Sequence, residues 1–548
     1  MKGDIILNKK YIYLIKNTGI FTISTFSSKC LVFLLVPLYT YVLTPSEYGI
    51  YDLTTLTVQL LIPILSANII DAIMRYLMDS CWNEKQVLAV SIKYISISIG
   101  IFGCLILVNN LLTILPYLKI YSLPIFLYYV SFILYQFLVQ FGKGVEHVKD
   151  IAWAGFISTL SIILFNIIFL IVFDLKLFGF FYAYIAGQFL ACFYLLFKIH
   201  FFKHISFSLE KDLEREMLVY AFPLIFNSIS WWINNASDRY IVTWICGVNI
   251  NGIYSVSYKI PYILNTLQSI FIQSWQISAV KEYESKEKDN FYSNTFVFVC
   301  VFMSIFCTIL ISFTQLIAQI LFSKSFYIAW KYVPFLLVSS VINTGSGLLG
   351  PILTAKKNTK ALGLSAICGA LVNIALNIVL VSWIGAQGAA IATLISSFVI
   401  FFCRKHSLKN IVIIKYRNVI FSWILLILQS FFLIYTKFYF AQILFMIVMM
   451  LVYRNEINHI KSIVTGIIKK ARGHIALKNL YNKFFKYLKE KSLIYHLKIS
   501  IWKNRRMYKC YDFIANKKKI ENRKIVFSNM GGIGYGGDPK YISEYILE

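Results

Sequence analysis

Long apolar runs separated by short polar interruptions set the pattern of this chain. Fourteen such runs can be marked, at 17–43, 50–74, 88–109, 120–141, 150–173, 178–198, 217–246, 252–279, 291–313, 333–355, 361–383, 387–403, 418–435 and 438–453. A helix rises about 1.5 Å per residue and the hydrocarbon core of a bilayer is about 30 Å thick, so runs of this length read as membrane spans. The predicted fold class is all-α integral membrane, with about 14 transmembrane helices. The links are short: turns such as Thr44–Glu47 and Ile384–Gln387 leave no room for an external domain. The longest outside link, Ser312–Val333, is itself mostly apolar and is expected to lie along the interface. A transporter or channel core fits this layout better than a receptor.

The stretch Trp231–Pro261, WWINNASDRYIVTWICGVNINGIYSVSYKIP, organises the pattern. An aromatic span carries Asp238 and Arg239, a polar turn follows at Gly247–Gly252, and a second span opens with Gly252-Ile253-Tyr254 and carries Lys259 and Pro261. The same opening occurs earlier, as Tyr48-Gly49-Ile50-Tyr51 after the turn Thr44–Glu47, 203 residues away. A second pair, Phe178-Gly179 and Gln387-Gly388, is offset by 209. These offsets predict two six-helix halves, roughly 10–200 and 215–403, running in the same sense across the membrane, with two extra helices at 418–453. Chance similarity between glycine-opened helices is the competing account. Parallel halves around an axis along the membrane normal suit alternating access around a central cavity.

Composition agrees: 58% of the 548 residues are apolar, 14% are charged, and mean hydropathy is +0.69. The net charge of +28 would suggest nucleic acid in a soluble protein. Here its placement matters more. With the N-terminus inside, the inside segments hold most of the Lys and Arg, among them Lys2, Lys9, Lys10 and Lys16 at the start and Arg404, Lys405, Lys409, Lys415 and Arg417 after the twelfth run. The turns Thr44–Glu47, Gly247–Asn251 and Ile384–Gln387 hold none. This is the positive-inside bias and places both ends in the cytoplasm. Met1–Lys16 is polar and basic, so no cleavable signal peptide is read there. Ten cysteines lie singly, without CxxC or Cys/His spacing, and read as free apolar thiols rather than metal ligands.

Charges within spans are costly and usually face a bundle interior or a wet cavity. Lys29, Asp238, Arg239 and Lys259 are the candidates, lying in spans one, seven and eight, which lead the two halves. Buried cations would suit a substrate bearing phosphate or diphosphate. An interfacial ion pair for Asp238–Arg239, and snorkelling for Lys29 and Lys259, are the plainer readings. Asp71 and Arg75 read as a helix-surface pair. Asn227, Asn234, Asn235, Gln273, Gln276, Asn343, Asn373 and Asn377 are candidates to line a hydrophilic lumen, with helix-to-helix hydrogen bonding as the alternative. Pro37, Pro63, Pro223, Pro261 and Pro351 mark bends in or near the ends of spans.

Over roughly residues 10–453 the chain resembles the polysaccharide-transport branch of the multidrug/oligosaccharidyl-lipid/polysaccharide exporter superfamily. The resemblance rests on Asn17-Thr18, Leu43-Thr44-Pro45-Ser46-Glu47-Tyr48-Gly49-Ile50-Tyr51, Asp238-Arg239-Tyr240 and Gly252-Ile253-Tyr254-Ser255-Val256-Ser257-Tyr258-Lys259-Ile260-Pro261. It implies a V-shaped cavity between two bundles with a cationic lumen, which Lys29, Arg239 and Lys259 would match. It also implies transfer of an undecaprenyl-diphosphate-linked oligosaccharide from the inner to the outer leaflet of the bacterial cytoplasmic membrane. Partners implied are the lipid-linked saccharide, membrane lipids and polysaccharide-assembly enzymes. No cofactor is implied, and H+ or Na+ coupling stays open.

Residues 454–548 differ in kind, with 21 Lys/Arg against 7 Asp/Glu. The segment 454–522 mixes Lys with Ile, Leu, Phe, Tyr and Trp at helical spacing, as basic amphipathic helices on anionic leaflets do; no nucleic acid is expected. Arg523–Glu548 reads as a strand (Lys524–Ser528), a glycine loop (Gly531–Gly537) and a helix with Asp538 as N-cap. It resembles the opening of the CDP-glycerol glycerophosphotransferase domain of teichoic-acid polymerases, on Lys524-Ile525-Val526-Phe527-Ser528, Gly534-Tyr535-Gly536 and Asp538-Pro539-Lys540-Tyr541-Ile542. That family more often has Asn where Asp538 stands. The fragment is too short to be such an enzyme alone and reads as truncated.

The expectation is a non-enzymatic flippase for lipid-linked polysaccharide repeats. The alternatives are a cation-coupled drug exporter, which would want an acidic membrane site, and a membrane-anchored glycerophosphotransferase or polysaccharide polymerase.

Overall fold

The computed structural model describes residues 33–454, apart from 34, 79–81, 114–118, 205–208, 282, 284–287, 324, 357, 410 and 437–439. The chain divides into two units, Met1–Ile457 and Asn458–Glu548, and all described residues belong to the first. Lys29, most of the first predicted span, the basic segment after Arg454 and the strand–glycine loop–helix fragment lie outside the described residues.

Every regular element among the described residues is helical. In chain order they are α1 (Val36–Val42), α2 (Pro45–Leu65), α3 (Ile69–Leu77), α4 (Glu84–Leu112), α5 (Ser122–Gly144), α6 (Val148–Asn166, continued by a π-turn at Ile167–Val172) and α7 (Lys176–Lys198). There follow α8 (Lys211–Cys246), α9 (Val248–Ser257), α10 (Pro261–Lys281), α11 (Lys288–Ser312), α12 (Thr314–Leu321), α13 (Val333–Ala355), α14 (Thr359–Ile384), α15 (Ala386–Leu408), α16 (Arg417–Tyr435) and α17 (Phe440–Val452). Ten of them are long and apolar enough to cross a membrane: α2, α4, α5, α6 with its π-turn, α7, α11, α13, α14, α15 and α16. The protein is a multi-pass α-helical membrane protein.

Two predicted spans are broken. The run 50–74 becomes α2 and α3, because Pro63 lies inside α2 and the chain then turns through Ala67 and Asn68 at φ 50° and 52°. The run 252–279 becomes α9 and α10. Pro261 has no N–H to donate and restricts the residue before it, so the helix ends in tight bonds from Tyr258 N to Ser255 O (3.3 Å) and Lys259 N to Val256 O (3.0 Å). Lys259 sits in this break. The seventh run becomes the 36-residue α8, whose polar Asn, Asp and Arg positions dilute its hydropathy.

Local chemistry explains the helix starts. Thr44 and Glu47 form a reciprocal cap on α2: the Thr44 N–H donates to Glu47 Oε2 (2.8 Å), and the Glu47 N–H donates to Thr44 Oγ1 (3.3 Å). Asn83 caps α4 and Asn358 caps α14. Gly247 (φ 89°) and Gly385 (φ 64°) make the turns into α9 and α15, where a side chain would be strained.

Burial separates core from periphery. α13 is nine-tenths buried (89%), against 28% for α4, α6 and α14, whose Leu, Ile and Phe side chains form an outer face for lipid. α6 packs along α7, and α14 along α15. α8 crosses between elements of both halves of the sequence, touching α2, α3, α9 and α14.

Candidate substrate site

The helix openings linked by the 203-residue offset meet face to face. A Cβ on Gly252 would lie 1.8 Å from the Pro45 carbonyl oxygen, and one on Gly49 would lie 2.3 Å from that of Val248. Pro45 and Val248 are themselves 203 apart, so the contact is reciprocal and each glycine is required by the other's helix. One turn further along, Ser255 Oγ donates to Asp52 Oδ2 (2.6 Å), and these residues too are 203 apart.

Around this contact α2, α8 and α9 assemble an ionic cluster. Arg239 Nη1 lies 3.4 Å from Asp52 Oδ1, with both side chains only 13% exposed. The guanidinium also covers the Tyr258 ring at 4.4 Å. Tyr254 and Tyr258 both donate their hydroxyls to Asp238 Oδ2, Tyr254 at 2.8 Å. Arg239 Nε is buried with no partner among the described residues. Lys259 Nζ lies 6.0 Å from the Tyr48 ring centre and has no carboxylate within ion-pair distance among the described residues. Of the predicted cations, the structure therefore brings Arg239 and Lys259 together with Asp238, but Arg239 is paired with Asp52.

Below the cluster α2 and α8 are joined for about two turns. Thr57 Oγ1 and the Tyr240 hydroxyl are 2.5 Å apart, and Trp232 Nε1 donates to the Leu56 carbonyl (2.8 Å), with its ring 5.1 Å from that of Tyr240. The helices then part around a pocket of about 390 Å³. α2 contributes Gln59, Ile62 and Pro63; the bend and α3 contribute Asn68, Ile70 and Asp71. α5 adds Phe132 and Gln136, and α8 adds Asn227, Ser228 and Trp232. Asp71 accepts from Asn68 Nδ2 (3.0 Å), and among the described residues it has no ion pair with Arg75.

The predicted lumen residues separate. Asn227 lines the pocket. Asn373 is buried between α8, α14 and α15, donating to Ser396 (3.3 Å) and accepting from Ser237 (3.4 Å) and Asn377 (3.0 Å), which is helix-to-helix bonding rather than a lumen surface. Asn234 donates to the Ser230 carbonyl one turn back (3.0 Å), and Asn235 is exposed. The Asn343 carbonyl accepts from Gln268 (3.3 Å). The Gln273 side chain lies outside those described. Asp52, Gln59 and Gln136 were missed by sequence reasoning; a carboxylate or amide inside an apolar run is the same signal that singled out Asp238 and Asn227. No group of three or more potential metal ligands occurs among the described residues.

A second polar contact joins the sequence halves at the opposite end of α8. Glu214, in its first turn ahead of the span, accepts from Lys93 Nζ and the Tyr94 hydroxyl, both at 2.7 Å. Those bonds, Lys93's first, hold the Glu214 carboxyl below its usual range.

Residues 14–276, just under half of the chain, match the family model described as polysaccharide biosynthesis protein. Among curated proteins none matches. Among solved structures, one titled lipid II flippase MurJ in an inward closed conformation superposes with a TM-score of 0.61 at 16% identity, covering 80% of this chain and 99% of that one. Two structures of multidrug resistance MATE family transporters of the MOP superfamily also match. The inward-facing one has a TM-score of 0.55 at 12% identity, over 70% of this chain and 95% of the other. The outward-facing one has a TM-score of 0.51 at 13% identity, over 72% and 96%. The chain thus has the fold these membrane transporters share, and its N-terminal half carries the sequence pattern of the polysaccharide-biosynthesis family.

Proposed function

We propose that this protein is a flippase of the bacterial cytoplasmic membrane, moving an undecaprenyl-diphosphate-linked oligosaccharide from the inner to the outer leaflet by alternating access, for assembly of a cell-surface polysaccharide. The observation that carries the reading is the polar pocket walled by α2, α3 and α5 on one side and α8 on the other. A membrane protein that keeps amides and a carboxylate around a cavity between helices has a use for a hydrophilic solute there. The family match and the transporter fold support the same reading. Both termini lie in the cytoplasm in this account, as the Lys/Arg distribution requires.

Lys259, at the α9–α10 break, is the cation of the cluster that has no ion-pair partner among the described residues and can meet a diphosphate, and Lys29 is proposed to join it. Arg239 would join them only by leaving Asp52. The resemblance of residues 523–548 to a glycerophosphotransferase opening supports a glycerol-phosphate-containing polymer, such as a teichoic-acid-like one, as the exported product.

The test is a bacterial strain in which surface polymer depends on this chain. Lys259→Ala should lower polymer export several-fold with the protein still at normal membrane level. Export at the normal rate would remove Lys259 from the transport path. Accumulation of the lipid-linked precursor on the inner leaflet after depletion of the protein is the accompanying expectation.

A further inference from the structure

We infer that the pocket between α2, α3, α5 and α8 is the subsite for the saccharide part of the cargo, recognising sugar hydroxyls, and that the diphosphate is held elsewhere. The inference rests on the flippase reading above and assigns chemistry within it. Among the described residues the lining contains no Lys, Arg or His. A diphosphate there would face the Asp71 carboxylate with no cation among the described lining residues to offset the like-charge repulsion. The described cations of the central region, Arg239 and Lys259, belong to the cluster beyond the α2–α8 joint.

What the pocket offers is hydroxyl chemistry. Gln59, Gln136 and Asn227 come from three different helices, and each carries two N–H donors and a carbonyl acceptor. Asp71 adds an acceptor whose direction is set by Asn68, through the 3.0 Å bond. Planar amides and carboxylates pair with neighbouring hydroxyls of a pyranose, which donate and accept at once. Trp232 supplies the other half of sugar recognition. Its N–H is committed to the Leu56 carbonyl, so the ring is fixed and its apolar face is what remains for the C–H face of a sugar. At about 390 Å³ the pocket falls within the ~300–1,000 Å³ common for small-molecule sites, enough for a sugar unit and not for a polyprenyl chain.

The experiment uses the purified full chain in lipid nanodiscs and two probes, undecaprenyl diphosphate and undecaprenyl-diphosphate-N-acetylglucosamine. The wild type should bind the sugar-bearing probe at least fivefold tighter. Trp232→Ala and Gln136→Ala should each abolish that difference while leaving binding of the bare lipid within twofold. If Trp232→Ala does not fold, Gln136→Ala and Asn227→Ala decide. Equal wild-type binding of both probes, or equal weakening of both by the variants, overturns the sugar subsite and leaves the flippase reading standing. Binding of neither probe overturns both. Displacement of the probes by a cationic amphiphile, lost in Asp71→Asn, with no preference for the sugar-bearing lipid, would make the pocket a cation site instead.

Discussion

At the residue scale, the reciprocal glycine contact and the buried ion pair make the sharpest predictions. Gly252→Ala places a methyl group 1.8 Å from the Pro45 carbonyl oxygen, so α9 must move off α2. Overpacking of this kind costs about 1–3 kcal/mol or more, read as a lower thermal midpoint in detergent. Gly363→Ala, with nothing within 4 Å of the added carbon, should match or slightly exceed the wild type. For the ion pair, Arg239→Met alone leaves Asp52 buried without its cation and should cost about 3–5 kcal/mol, while Arg239→Met with Asp52→Leu should recover much of the loss. A double variant no more stable than the single one would show the pair is solvated. Asp238, Arg239 and Lys259 were legible in the sequence because charge inside an apolar run is conspicuous. The partnership of Arg239 with Asp52 was not, since it joins residues 187 apart and depends on how α2 docks on α8. For the same reason Asn227 and Asn373, alike in sequence, differ in space: one lines the pocket and the other bonds neighbouring helices.

At the element scale, α2, α8 and α9 form one joined group of helices. They are held together from the Gly49–Gly252 contact down to Trp232 and separate beyond it around the pocket. If transport requires this end to open, a covalent link across it must stop transport. Asp52→Cys with Ser255→Cys replaces a 2.6 Å hydrogen bond by a thiol pair. Oxidation should reduce export at least tenfold and reductant should restore it; export unaffected by a verified cross-link would mean that α2 and α9 stay together throughout. At the other end of α8, the Glu214 carboxyl is held down by Lys93 and Tyr94. A depressed carboxyl contributes stability above its unfolded pKa, near 4.5, and loses it as pH falls through the lower folded value. Thermal midpoint should therefore drop on acidification below about pH 4.5, by the modest amount of a partly exposed pair, and Glu214→Gln should flatten that part of the profile. Most span positions were legible from apolar run length. The breaks at Ser66–Asn68 and Tyr258–Ile260 were only hinted at by Pro63 and Pro261, because a proline inside a membrane helix can bend it without ending it.

At the scale of the whole molecule, a recurring helix opening, a transporter fold and a polar pocket between helices from both parts of the chain support the proposed alternating access to a hydrophilic cargo. The recurrence of turn chemistry at Thr44–Tyr51 and Gly247–Tyr254 is what suggests a repeat. What the sequence did not disclose is that the two openings touch, and that the described lining of the adjoining cavity is neutral and acidic. In the proposal above that difference divides the work, with hydroxyl recognition assigned to the pocket and diphosphate recognition to the neighbourhood of Lys259. The direct test of the central claim is translocation by the purified full chain in proteoliposomes loaded with undecaprenyl-diphosphate-N-acetylglucosamine, scored by accessibility of the sugar to an external lectin. The account predicts protein-dependent exchange between leaflets that is slowed several-fold in Lys259→Ala and at least tenfold in the oxidised Asp52→Cys/Ser255→Cys chain. Exchange no faster than in protein-free vesicles, or equally fast with the cross-link in place, would contradict it.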